Sequence, residues 1–100
     1  MDKIICLKLA SGEEVIGKLV EQSDNSIKLK DIASIVMMPG GGGGQVGLGL
    51  MPFLPYADDK AIDFNKKFVM VEFDPGVDML NNYNRMFGSG IQIASAIPKQ

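Results

Sequence analysis

Ile4-Ile5-Cys6-Leu7-Lys8-Leu9, Ala10-Ser11-Gly12-Glu13 and Glu14-Val15-Ile16-Gly17-Lys18-Leu19-Val20-Glu21 follow one another as strand, turn and strand. Ile5, Leu7 and Leu9 recur at period two, the spacing that lines one face of a strand. Ala10 to Glu13 supplies turn chemistry. Gly17 leaves a gap in the second strand, the usual sign of a bulge or sharp bend where a small sheet curls closed. Ser23-Asp24-Asn25-Ser26 is a second turn. The chain then resumes with Ile27, Leu29, Ala33, Ile35 and Met37 in one phase, interrupted by Asp31. This predicts a third strand, long or broken at Asp31, that completes a meander with very short connections.

Working outward, Pro39 and the glycines 40 to 44 end that strand, and Val46, Leu48 and Leu50 alternate with Gly47 and Gly49. The alternation predicts a strand with almost nothing on one face, where another group approaches closely. The glycine run reads as a flexible connection rather than a phosphate loop, because no lysine and hydroxyl open a helix after it. Pro52-Phe53-Leu54-Pro55-Tyr56 is too proline-rich for a central strand, and Ala57-Asp58-Asp59-Lys60 is a polar turn. Ala61 to Phe64 and Phe68 to Phe73, joined by Asn65-Lys66-Lys67, read as a hairpin. Its second strand puts Val69, Val71 and Phe73 on one face and Phe68 and Met70 on the other. A five-strand barrel has one interior, so Phe68 and Met70 are expected under a helix, the tail or another subunit.

Asp74-Pro75 predicts a helix start, with Asp as N-cap and Pro at the first position. Val77, Leu80, Tyr83 or Asn84, and Phe87 recur at helical spacing toward Gly88 as C-cap, giving one short amphipathic helix over 75 to 87 that is expected to dock through Val77, Leu80 and Phe87. The tail, 88 to 100, carries Ile91, Ile93 and Ile97 and is expected to add an edge strand or drape over the sheet.

At 100 residues, with 46% hydrophobic and 22% charged content, the chain is one globular domain with a single core. Ten Lys and Arg against twelve Asp and Glu give a net charge of −2, with Arg85 the single arginine, so bulk charge does not announce a nucleic-acid binder. Histidine and tryptophan are absent and Cys6 is the one cysteine. That removes His-based catalysis, disulfide frameworks and Cys/His zinc sites together. Cys6 reads as a small buried hydrophobe, Glu13-Glu14 and Asp58-Asp59 as solvated turns, and Lys8, Lys18, Lys28 and Lys30 as solvent-side lysines. Neither an enzyme, a cofactor nor a metal is expected. Ile32 to Ala57 is uncharged, but glycines 40 to 44, 47 and 49 with prolines 39, 52 and 55 rule out a spanning helix, and no membrane partner is expected. The start, MDKIIC, is too short for a signal-peptide core, which predicts a cytoplasmic protein in a reducing compartment.

Leu9-x-x-Gly12-x-x-Val15-x-Gly17-x-Leu19, followed by Ile27-x-Leu29-x-Asp31, resembles the first sequence motif of Sm and LSm-like (Hfq-like) proteins. Ile62-Asp63-Phe64-Asn65-Lys66-Lys67-Phe68-Val69-Met70-Val71 sits where their second motif falls. The likeness covers about 60 residues outside the 39 to 60 excursion, the span over which the motif order holds. The opening stretch, with YNRMFGSGI near the end, also resembles short proteins of marine tailed phages, for which cytoplasmic means the host cytoplasm. The resemblance implies a mainly β fold: a five-stranded, bent, open Sm-like barrel over about 1 to 73, with one short C-terminal helix. It implies closure of subunits into a homo-oligomeric ring and binding of RNA or another single-stranded nucleic acid.

The family asparagine that contacts the base falls on Ser26, one place from Asn25, and the family Arg-Gly-Asn segment falls on Asn65, Lys66 and Lys67, with neither arginine nor glycine. The helix follows the strands here, whereas the family carries it before them. The expected nucleic-acid site is therefore Asn25, Ser26, Asn65, Lys66 and Lys67. The alternative is an oligomeric structural or adaptor protein that keeps the barrel for assembly and binds no nucleic acid.

Overall fold

The computed structural model describes residues 3–39, 46–57 and 61–87. The glycine run 40 to 44, Asp58-Asp59, Gly88 and the tail with Ile91, Ile93 and Ile97 lie outside the described residues. The protein is mainly β with one short helix: β1 (Ile4–Leu9), β2 (Glu14–Gln22), β3 (Ser26–Pro39), β4 (Val46–Pro52), β5 (Ala61–Asn65), a 3-10 turn (Lys66–Phe68), β6 (Val69–Phe73) and α1 (Val77–Met86). All pairings are antiparallel, in the order β4-β3-β2-β1-β6, and β5 joins separately on β3. Among the described residues the sheet thus has six strands, where the Sm-like resemblance implied a barrel of five.

Two turns in the meander have the predicted chemistry. Gly12 takes a φ of 97°, a left-handed conformation that glycine adopts without a Cβ penalty, and its N–H donates to the Leu9 carbonyl at 2.9 Å. At the other turn, the Ser23 N–H donates to the Ser26 carbonyl at 2.9 Å.

β3 is one long strand with a bend in it. Asp31 holds a φ of 50°, and across from it Ile16 pairs with Ala33 while Lys18 pairs with Lys30. Asp31 and Ile32 therefore oppose Gly17 alone, which is a β-bulge. A Cβ on Gly17 would stand 3.2 Å from both the Leu29 Cβ and the Lys30 carbonyl, so the bend needs glycine there. Residues 26 to 30 pair with β5 and residues 33 to 39 with β4.

The bulge also resets the strand's faces. Ile27, Leu29 and Ile32 enter one core with Ile5, Leu7, Val15 and Phe64, whereas Ala33 enters a second with Cys6, Ile16 and Tyr83. The single phase from Ile27 to Met37 expected from sequence is incorrect, because the extra residue at the bulge exchanges the two faces beyond it.

β5 and β6 do not form the expected hairpin. The 3-10 turn between them separates the strands, so that β5 pairs with β3 and β6 with β1. Gln22 Nε2 at the end of β2 donates to Glu72 Oε1 of β6 at 3.2 Å, which ties the sheet across its curl. β6 lies at an edge, with Phe68 at 61% and Met70 at 67% exposure. The helix does not cover them.

α1 begins two residues later than the expected 75, with Gly76 rather than Asp74 at the N-cap, and Phe87 ends it. Its docking face is also shifted. Met79, Tyr83, Met86 and Phe87 pack on the second core, whereas Val77 is half-exposed and Leu80 stays outside that cluster. Tyr83 is fully buried, its ring centroid is 4.7 Å from that of Phe87, and its hydroxyl donates to the Asp31 carbonyl at 2.5 Å. One side chain thus fastens the helix to the bend. Tyr83→Ala should cost about 3–5 kcal/mol, as for other buried aromatic truncations, and Leu80→Ala clearly less. Urea titration of the two variants checks the ranking, and equal losses would refute this docking face.

Candidate nucleic-acid interface

The predicted site residues come from two turns that β3 and β5 bring side by side. Ser26 pairs in register with Asn65, and the Lys66 N–H donates to the Asn25 carbonyl at 2.9 Å. In the first turn, Ser23 Oγ accepts from the N–H groups of Asn25 and Ser26 at 3.3 and 3.2 Å. In the second, Asn65 Oδ1 accepts from the Lys67 N–H at 2.9 Å and caps the 3-10 turn. Both turns are held by side chains bonding their own backbone, the Asx and Ser arrangement that competes with regular structure.

Between them lies an open cleft of about 580 Å³, lined by Asp24, Asn25, Asn65, Lys66 and Lys67. Four of the five predicted residues therefore share one cleft. Ser26 does not line it, and its Oγ lies 3.2 Å from Ser23 Oγ. Asp24 is the residue that sequence reading missed. Its position between Ser23 and Asn25 was a visible signal, but its carboxylate gained meaning only when β5 brought two lysines opposite.

The cleft offers two ammonium groups and two side-chain amides against one carboxylate. Such a set suits phosphate or another anion through flexible point charges rather than a bidentate fork. No aromatic lines it. Phe64 is buried, its ring 5.8 Å from that of Phe53, and Tyr56 stands 81% exposed elsewhere on the chain. Neither offers this cleft a ring on which a base could stack.

Two of the strand lysines are paired with carboxylates. Lys8 Nζ lies 3.4 Å from Glu14 Oε2 and Lys18 Nζ 3.4 Å from Asp31 Oδ2. Lys28 faces Asp63 and Glu21 on its two neighbouring strands. Arg85 hydrogen-bonds Asn82 on α1. A second pocket, of about 330 Å³, is mostly apolar, with Ile32, Phe53, Leu54, Ile62 and Phe87 in its wall and Asp31 at its edge.

Among the described residues, no group of three or more His, Cys, Asp or Glu side chains could hold a metal ion, and no helix is long and apolar enough to cross a membrane. No protein-family model matches the chain, and no curated protein matches it.

Cys6 is fully buried in the second core, and burial, reinforced by the negative charges of Glu14 and Asp74, pushes its thiol from 9.0 up to about 11. It is therefore a poor nucleophile, since the thiolate is the reactive form. The raised value favours the neutral thiol in the folded state. Its contribution to stability is complete below pH 9 and lost as pH rises from there through about 11. Urea midpoints of the native protein should fall across that window, while those of Cys6→Ala should fall less. Parallel curves for the two would refute the assignment.

Proposed function

We propose that this chain is an Sm-like subunit that assembles into a homo-oligomeric ring and binds single-stranded RNA through the Asn25, Asn65, Lys66 and Lys67 cleft of each copy. The observation that carries the reading is the meeting of the two turns in one anion-compatible cleft, at the positions where the resembled family contacts RNA. The mainly β architecture, an antiparallel sheet with one short helix after it, supports the reading at the level of fold class. Assembly is supported by the edges of these strands. Each pairs on one side only among the described residues, and Phe68 of the 3-10 turn lies exposed with Met70 and Val71 of β6.

A single cleft neutralises too few phosphates for useful affinity, whereas a ring repeats it once per subunit, and affinity then falls steeply with salt. Without an aromatic platform, binding is expected to tolerate sequence changes. The adaptor reading rests on a specific observation of its own: Lys8 and Lys18 are already engaged with carboxylates, and the chain is net negative.

Native mass spectrometry with absorbance at 260 nm should reveal more than two copies per particle, and Val71→Lys should break the ring. A monomer at micromolar concentration would sink the assembly reading. Fluorescence anisotropy with short U-rich and A-rich strands should show salt-sensitive binding, lost in Lys66→Glu with Lys67→Glu. If the native protein does not bind at low salt, or the double variant binds equally well, the adaptor reading replaces the RNA one.

A further inference from the structure

β4 ends the sheet and pairs only with β3 among the described residues. Natural sheets blunt such edges with charges, bulges, prolines or short strands, because unpaired N–H and C=O groups recruit another strand. β6 follows that rule: it carries Glu72, and its register with β1 shifts at Met70. β4 has none of these before Pro52. It runs from Val46 to Pro52 in unbroken register with β3, within a stretch that holds no charge from Ile32 to Ala57.

Its side chains are exposed as well. Ile35 and Leu50, paired in register, pack on the second core that α1 also covers, but the next pair on that face, Met37 and Leu48, is 76% and 54% exposed. The other face carries Gly47, with open space above it, and Gly49, over which Met38 lies so closely that a Cβ would collide with its thioether.

We propose that this edge is an interface with a second copy of the chain, β4 pairing antiparallel with its own counterpart about a two-fold axis, so that two sheets run on through one seam. The order Gly47-Leu48-Gly49-Leu50 selects a second copy over an unrelated partner. An isologous contact must be self-complementary, and directly opposed residues of antiparallel strands share a face. With the axis at Leu48, that residue meets its own copy and Gly47 meets Gly49. With the axis at Gly49, Leu48 meets Leu50 and Gly49 meets its own copy. In both registers a leucine meets a leucine on one face; on the other, Gly47 meets Gly49 in the first, and Gly49 meets its own copy while Gly47 meets Met51 in the second. No like charges meet, which is the usual obstacle to a strand pairing with itself. This seam uses neither β5 nor β6, and therefore does not depend on ring formation or RNA binding.

The test is native mass spectrometry of the full chain and of Leu48→Lys, with hydrogen exchange of the β4 amides read at two protein concentrations. Leu48 is exposed, so the variant should fold, and its circular dichroism should match the native spectrum. The native particle should hold an even number of copies, and Leu48→Lys should lower its mass two-fold. β4 amides should exchange slowly in concentrated native protein, faster on dilution, and fast throughout in the variant. An odd copy number, an unchanged mass in a folded Leu48→Lys, or protection of β4 that ignores concentration, as when the edge is covered within one chain, would overturn the seam.

Discussion

The bulge that sets Asp31 and Ile32 against Gly17 is the constraint from which the other features follow. An L-residue held at positive φ carries a conformational cost, and here neighbours on three sides hold it. The Tyr83 hydroxyl binds the Asp31 carbonyl, Lys18 approaches its carboxylate, and the absence of a side chain at Gly17 leaves room for the turn of the strand. With the bend in place, one strand serves two partners, β5 before it and β4 beyond it. The same bend exchanges the strand's faces, so that Ile32 and Ala33, adjacent in the chain, enter different cores. The helix then closes the second core.

That geometry also brings the two polar turns together. β5 pairs with β3 only over residues 26 to 30, which places Asn65 opposite Ser26 and leaves the 3-10 turn beside Asn25. Lys8 and Lys18 of the strands pair with carboxylates, whereas Lys66 and Lys67 of the 3-10 turn line the cleft. Local charge at a turn, rather than net charge, is therefore what the proposed anion site rests on.

The strand edges differ in chemistry, and the difference bears on assembly. β6 combines a bulge and a glutamate with exposed apolar groups, whereas β4 is unbroken in register and uncharged, with glycine at two of the three positions facing away from the helix. Natural sheets blunt or cover such edges, and that is the physical ground of the seam proposed from β4. The ring proposed from β5 and β6 and the seam proposed from β4 use separate edges, so either can hold without the other.

By itself, the sequence determined the strands, the turns at Gly12 and Ser23 to Ser26, the need for glycine at 17, the buried inert Cys6, and the four residues that share the cleft. All but the last are local matters, settled by period, turn chemistry and composition within a few residues; the cleft residues came from the resemblance to the Sm-like motifs. The tertiary structure alone decided the rest. Period-two counting cannot register one extra residue in a strand, so the exchange of faces beyond Asp31 stayed hidden. The docking face of α1 was misjudged because spacing locates a stripe but not the surface it meets. Tyr83 wins that place over Leu80 because its hydroxyl reaches the bent carbonyl of Asp31, 52 residues earlier in the chain.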